Sequence, residues 1–340
     1  MHPMFRNPTL LLTLALAAAL APFSQEPPAT PPFRASVPVV LVPVTVTGRN
    51  GKFVDGLQAA DFSLTADGKP RSFEMDLAEA VVAPLAVVVA IQTNDLSQTA
   101  NLKVRKVGSL VQPLITGNRG RAAVIGYGET TVVLSDFTHD PDAISLAFQQ
   151  SAASQGGNAA RQLDAILIAA RMLAARPAGE RKVLIILGES KDRGSKARLA
   201  DVLRALQNDA VTVFAATWSP YKTAFTTRGT EMPPPNSGTD LLAGIGELGR
   251  LGKGDSAKAL AESTGGEKLT FATLSGLEKA LTHLGEELHS QYLLSFAAQE
   301  PGQTIEAGLH SLEVKVKNRK GLTIRARSGF WFGELSEAQP

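Results

Sequence analysis

The hydrophobic pattern changes character twice along the chain. From Val37 to Met75 apolar and polar residues alternate, as in VPVVLVPVTVTG (37–48) and DFSLTADGKPRSFEM (61–75). A period of two predicts strands with one buried face. Asn50-Gly51 and Asp67-Gly68 are type I′ hairpin signals within this region. Pro43, which cannot donate to a ladder, predicts an edge position for the first strand. Alternation returns at the far end in SQYLLSF (290–296), HSLEVKVKN (310–318) and GLTIRARSGFWF (321–332). The last two are expected to pair across a turn at Arg319 to Gly321, burying Leu312, Val314 and Val316 from one and Leu322, Ile324 and Ala326 from the other.

Between these ends the alternation disappears. PLAVVVAI (84–91), RAAVIGY (121–127), KVLIILG (182–188) and AVTVFAA (210–216) are uninterrupted apolar runs. That is the pattern of parallel strands covered on both faces. Helical periodicity fills the gaps at Leu102–Ile115, Ala159–Ala175, Lys196–Asn208, Ala257–Ser263 and Leu274–Ser290. TVVLSDF (131–137) reads as a shorter, antiparallel edge strand. The predicted class is α/β, with a doubly wound, mostly parallel sheet over residues 82–288. The flanking segments, 36–81 and 289–335, are each too short for a comfortable core. They are expected to combine into one β-sandwich in which the α/β domain is inserted.

Composition narrows the function classes. The chain has 340 residues, 44% of them apolar, enough for more than one core. Its 34 basic and 32 acidic side chains are scattered, which predicts ordinary solvated faces and no nucleic-acid partner. Arg6, the apolar run LLLTLALAAALA (10–21) and the small residues Ala19 to Ala21 form a signal-peptide pattern over residues 1–24. A Pro-rich linker follows at 25–35. The apolar run is too short to span a bilayer, and no later one is long enough, so no transmembrane segment is expected in the mature chain. The protein is therefore expected to be exported, to a periplasm or the exterior. Cysteine is absent, which excludes disulfides, zinc–thiolate sites and thiol nucleophiles.

In open α/β sheets ligands bind beyond the carboxyl ends of the strands. The segments there are QTNDLSQT (92–99), GETT (128–131), ESKDRGS (189–195) and TWSPYK (217–222), with SQGGNAARQLD (154–164) entering a helix nearby. The Gly244–Gly249 run matches G-x-G-x-x-G, but follows no apolar strand and reads as loop. Ser219 and Lys222 spell S-x-x-K without its companion motifs. The histidines (His2, His139, His283, His289, His310) have no metalloprotease or triad spacing, so those outside the leader read as surface or core-edge groups. The long polar insert 219–244 is a candidate contact loop for a partner.

Six segments in order carry a resemblance over essentially the whole mature length: residues 42–73, PLAVVVAIQTND (84–95), RKVLIILGESKDRGS (181–195), LAESTGGEKLTF (260–271), LGEELHSQYLLSF (284–296) and residues 310–332. Together they resemble the von Willebrand factor A-related proteins of the acidobacterial type. The resemblance implies a von Willebrand factor A fold, usually a protein-binding module with a metal-ion-dependent adhesion site. In that family the site is Asp-x-Ser-x-Ser, a Thr from a later loop and an Asp after a following strand. Here Gln92 stands for the first Asp, Asn94 and Leu96 for the two Ser, Asn158 for the Thr and Glu189 for the last Asp. One carboxylate is left, whereas a hard divalent cation wants about two with retained water. A degenerate site is expected, without cofactor, presenting Gln92, Asn94, Asp95, Ser97, Asn158 and Glu189 as a polar surface for a protein partner. The competing register, Asp95-x-Ser97-x-Thr99 with Asn158 and Glu189, would hold Mg²⁺ if the strand ran on to Asp95. The remaining alternatives are a scaffold role in the envelope or in secretion, and a hydrolase using the acidic residues. The latter lacks a nucleophile–base arrangement, so no enzyme is expected.

Overall fold

The computed structural model describes residues 39–77, 84–151, 156–177, 179–218, 254–300 and 305–333. The expected leader and linker, the 219–244 insert, the Ser219/Lys222 pair and the Gly244–Gly249 run lie outside the described residues.

The N-terminal strands are β1 (Val39–Thr47), β2 (Phe62–Ala66), β3 (Lys69–Pro70) and β4 (Glu74–Leu77). The central domain contributes β5 (Leu85–Gln92), β6 (Arg121–Tyr127), β7 (Thr131–Thr138), β8 (Arg181–Glu189), β9 (Thr212–Trp218) and β10 (Lys268–Thr270). The C-terminal strands are β11 (Tyr292–Ala297), β12 (Gly308–Val316), β13 (Thr323–Ala326) and β14 (Gly329–Phe332).

The central sheet has the order β10-β9-β8-β5-β6-β7. Its pairings are parallel except for β7, which runs antiparallel to β6 at the edge, as its pattern predicts. The uninterrupted apolar runs have a direct cause. Val87, Val89 and Ile91 of β5 pack with Phe148, Leu281 and Leu284 on one side. Ala86, Val88 and Ala90 pack with Leu163, Ile166 and Leu206 on the other. Each fully buried aliphatic chain of this size contributes roughly 1.5–3 kcal/mol, so neither face of β5 tolerates a polar residue before its end. The predicted helix Leu102–Ile115 is in fact three pieces: Gln98–Val104, Gly108–Val111 and a π turn at Gln112–Thr116. Gly108 lies against Phe148, where a Cβ would come within 2.8 Å, and Pro113 removes a backbone donor from the turn that follows.

The end segments close into a sandwich of two four-stranded sheets, β13-β1-β11-β4 and β14-β12-β2-β3. One core joins them, with Val42, Val44, Val46, Tyr292 and Leu294 from the first sheet and Phe62, Leu64, Leu312 and Phe330 from the second. Tyr292 also donates its hydroxyl to the Val54 carbonyl at 2.7 Å and stacks obliquely on Phe62.

Three sequence expectations are corrected here. β1 is an interior strand, not an edge: it pairs with β11 from Val39 to Val44 and with β13 from Val44 to Thr47. Pro43 is tolerated because it falls just outside the stretch flanked on both sides. The last two alternating segments do not pair across Arg319 to Gly321. β13 leaves for β1 in the opposite sheet, and β14 returns to β12, so Ile324 and Val314 belong to opposite sheets of the common core. The crossing is pinned by Arg327, whose guanidinium donates to the carbonyls of Leu41, Gly329 and Gln207. Its burial lowers the guanidinium pKa to about 10. Finally, only Asp67-Gly68 has positive φ at both turn positions (50° and 72°); at Asn50-Gly51 only Gly51 does, so the type I′ reading holds for one of the two turns.

Candidate functional site

Strand order reverses at β5: β6 and β7 lie on one side, β8, β9 and β10 on the other. Such a reversal leaves a crevice beyond the carboxyl ends of the two adjoining parallel strands, here at Gln92 and Glu189. β5 ends on Gln92, which is buried and in register with Tyr127. Gln92, and not Asp95, therefore occupies the strand end.

The amides around that end form a closed net. Gln92 Oε1 accepts from the Glu189 backbone at 2.8 Å, and Gln92 Nε2 donates to Asn94 Oδ1 at 2.9 Å. Asn94 Nδ2 reaches the carbonyls of Asn158 (3.3 Å) and Ala159 (3.0 Å), while its Oδ1 caps the Ser97 amide at 3.1 Å. Ser97 Oγ donates to the Asn94 carbonyl at 2.7 Å and accepts from Asn101 Nδ2 at 2.9 Å. Asn158 is exposed and enters the net through its backbone carbonyl. Asp95 opens a short 3₁₀ turn, is exposed, and accepts from Gln98 Nε2 at 3.3 Å. Thr99 is exposed on the following helix.

Glu189 is the acidic member of this group that is buried, at 2% exposure. Its Oε2 accepts from Arg193 Nε at 3.0 Å and Nη2 at 2.7 Å. Its Oε1 is buried without a hydrogen-bond partner among the described residues. Arg193 is held in place by its own backbone, which exchanges two hydrogen bonds with Ala160 (2.9 and 3.0 Å). A resident guanidinium thus faces the buried Glu189 carboxylate.

A second layer, not anticipated from the sequence, supports the first. Gln162 Nε2 donates to the Glu189 carbonyl at 2.9 Å, and Ser256 Oγ donates to Gln162 Oε1 at 2.7 Å. Burial pushes the Tyr127 phenol well above its ordinary pKa, so it stays neutral beneath Glu189. Asp164 caps the amides of Lys196 (3.0 Å) and Ala197 (2.8 Å), and so draws the 189–198 loop onto the neighbouring helix. The available signal was the polarity of Gln162 and Asp164 in an otherwise apolar helical run. Lys268 donates to Ser190 Oγ at 3.1 Å, but is paired with Asp255; an ammonium so held is a donor, not the base a nucleophilic serine needs.

Gly188 makes this packing possible. A Cβ there would lie 2.1 Å from Tyr127 Oη and 3.0 Å from Gln92 Oε1. Gly188→Ala is expected to cost about 2 kcal/mol by overpacking, read as a lower denaturation midpoint with unchanged m-value. A variant as stable as the wild type would show that the net can shift to make room.

The deciding observation is the topology: parallel strands in the order β10-β9-β8-β5-β6, an antiparallel β7 at the edge, helices on both faces and a switch point at β5. The central domain is von Willebrand factor A-like. No family model matches the chain, and no curated protein matches it. Among solved structures, a von Willebrand factor type A protein from Catenulispora acidiphila is similar at 13% identity and TM-score 0.45, covering 79% of this chain and 73% of that one. BatB from Bacteroides thetaiotaomicron is similar at 15% identity and TM-score 0.42, covering 60% and 98%. An aerotolerance-related membrane protein from Bacteroides fragilis gives 12%, 0.41, 59% and 98%. Likenesses this distant add nothing about function, and the von Willebrand factor A-like assignment rests on strand order. Among the described residues no helix is long and apolar enough to cross a membrane.

Proposed function

We propose that the chain is an exported, non-enzymatic protein-interaction module whose von Willebrand factor A-like domain offers its carboxyl-end surface to a protein partner without a metal. The observation that carries this reading is the Glu189–Arg193 pair: the buried carboxylate already has its cation, supplied by the chain. Gln92 and Asn94 are neutral and engaged on both amide atoms. A divalent ion entering here would have to displace a guanidinium and offset its own desolvation with one carboxylate. The exposed rim, Asp95 and Asn158 with Gln98 and Thr99, is polar and suits a hydrated contact with a partner. Export is supported by the leader-like sequence of residues 1–24.

Titration with Mg²⁺ and Mn²⁺, followed by thermal melting of the wild type and Asp95→Ala, tests the metal-free reading. Neither ion is expected to raise the melting temperature, and Asp95→Ala is expected to change stability by under about 0.5 kcal/mol, as exposed substitutions do. Stabilisation by Mg²⁺ that disappears in Asp95→Ala would overturn the reading in favour of the displaced register. For the partner, a photo-crosslinking residue at position 158 should capture a protein that the same probe at Val133, on the exposed edge strand, does not; equal capture would refute a role for this face.

A further inference from the structure

A cavity of about 260 Å³ lies at the end of the central sheet opposite the carboxyl-end surface, where β8 and β9 begin and β1 and β11 of the sandwich complete the wall. Its two sides differ. On the sandwich side stand Val39, Leu41 and Pro43, which alternate with the core residues Val40, Val42 and Val44, and Leu293, the cross-strand partner of Pro43. Outward positions of an antiparallel sheet are ordinarily polar, yet these four are apolar.

The central-domain side carries Arg181, the first residue of β8, at 9% exposure. Its Nη1 donates to the Leu288 carbonyl at 3.0 Å and its Nη2 to Gln291 Oε1 at 2.6 Å, while Nε is buried without a partner. No carboxylate pairs with it among the described residues. The two that line the cavity are engaged elsewhere: Glu180 accepts from Arg176 at 2.7 and 2.8 Å, and Asp209 lies 4.0 Å from Lys182. Burial alone lowers the Arg181 pKa to about 10, so the group is still a cation at neutral pH. A buried cation without a counter-charge is costly unless an anion comes to it. Arg327, the other buried guanidinium, differs because each of its nitrogens donates to a backbone carbonyl.

We infer that this cavity binds a small organic monocarboxylate, with its carboxylate on Arg181 and its apolar body against Leu41, Pro43 and Leu293. The head group follows from the planar fork: Nε and a terminal nitrogen share one edge, which takes a carboxylate through two parallel hydrogen bonds. Gln291 holds the fork in place, since its own Nε2 donates to Thr45 Oγ1 at 3.2 Å. The size of the body follows from the volume, which is just under the range of about 300–1,000 Å³ for drug-sized ligands. A single ring or a short chain fits, whereas an inorganic anion would leave the apolar side uncovered.

The test titrates the full chain with benzoate, with benzamide as the uncharged isostere and with inorganic phosphate as an anion without an apolar body. Calorimetry should find one benzoate per chain, and the melting temperature should rise by about 5 °C at a hundredfold excess over Kd. Benzamide and phosphate should each bind at least tenfold more weakly. Arg181→Met should weaken benzoate binding at least tenfold while leaving the weak binding of benzamide unchanged. Leu41→Trp, on the outward face of β1, fills the cavity without touching the guanidinium and should abolish benzoate binding; it decides alone if Arg181→Met does not fold. Absence of benzoate binding to the wild type would overturn the proposal and leave Arg181 as a strut between the Leu288 carbonyl and Gln291. Benzamide as tight as benzoate would refute the role of the cation, and phosphate as tight would refute the role of the apolar wall. Wild-type affinity in Leu41→Trp would place the benzoate elsewhere and overturn the site.

Discussion

Arg193→Met is expected to destabilise the protein by about 3 kcal/mol, although Arg193 is partly exposed and touches no hydrophobic core. The reason lies in its partner. Glu189 is 2% exposed, its Oε1 already lacks a partner among the described residues, and its Oε2 is held by Arg193 through two nitrogens. Removing one side of a buried pair strands the other charge, at a typical cost of about 3–5 kcal/mol. The lower end applies because the guanidinium side chain is itself 34% exposed. The diagnostic is the double variant. Glu189→Gln in the Arg193→Met background removes the stranded charge and should recover about 2 kcal/mol, a coupling that urea melts of the four-member cycle measure directly. Mg²⁺ should not substitute for the lost guanidinium, since Gln92 and Asn94 bring no charge. A single variant within about 0.5 kcal/mol of the wild type would show that the pair is a surface ornament and would remove the main support for a resident cation.

That pair shows where the sequence was readable and where it was not. Gln92 and Glu189 follow unbroken apolar runs, which marks both as strand-end residues, but the sequence left open the register with Asp95 at the first of these ends, and the boundary of β5 at Gln92 decides it. Arg193 was not legible, because its role depends on a backbone bridge to Ala160, thirty-odd positions away, that no local pattern encodes. Gln162 and Ser256 were missed for the same reason: each acts through a partner distant in the chain.

The sandwich gives a similar lesson. Alternation identified its strands, since a period of two needs only one buried face. It could not assign β13 and β14 to different sheets, because both alternate and only three-dimensional crossing separates them. The buried arginine that fixes the crossing is three residues beyond Ile324 and looks, in sequence, like one more polar position on an alternating strand. His283 and Glu287 are a smaller case of the same limit. Their spacing places them on one helix face, but the partners that hold Glu287, Thr45 and Arg325, come from opposite ends of the chain.

Deleting the chain from Gly308 onward should unfold the N-terminal strands while leaving the central domain folded. β12 is the strand that pairs β2 from Phe62 to Ala66, and β13 pairs β1 from Val44 to Thr47. Without them the shared core loses Leu312 and Phe330 outright and exposes Val46, Phe62 and Leu64. Five buried apolar side chains at about 1.5 kcal/mol or more each approach the whole stability of a domain, about 5–15 kcal/mol. The two clusters that sandwich the central sheet contain none of the deleted residues. Calorimetry should therefore show one transition retained and one lost, and trypsin should cut rapidly at Lys52 and Arg71. Continued protection of Arg71 in the truncated chain would mean that the N-terminal strands hold a core of their own, contrary to the pairing of the two ends. If instead the central transition vanished too, Arg325 and Arg327, which reach Glu287 and the Gln207 carbonyl from the deleted segment, would be the contacts by which the sandwich supports the domain inserted in it.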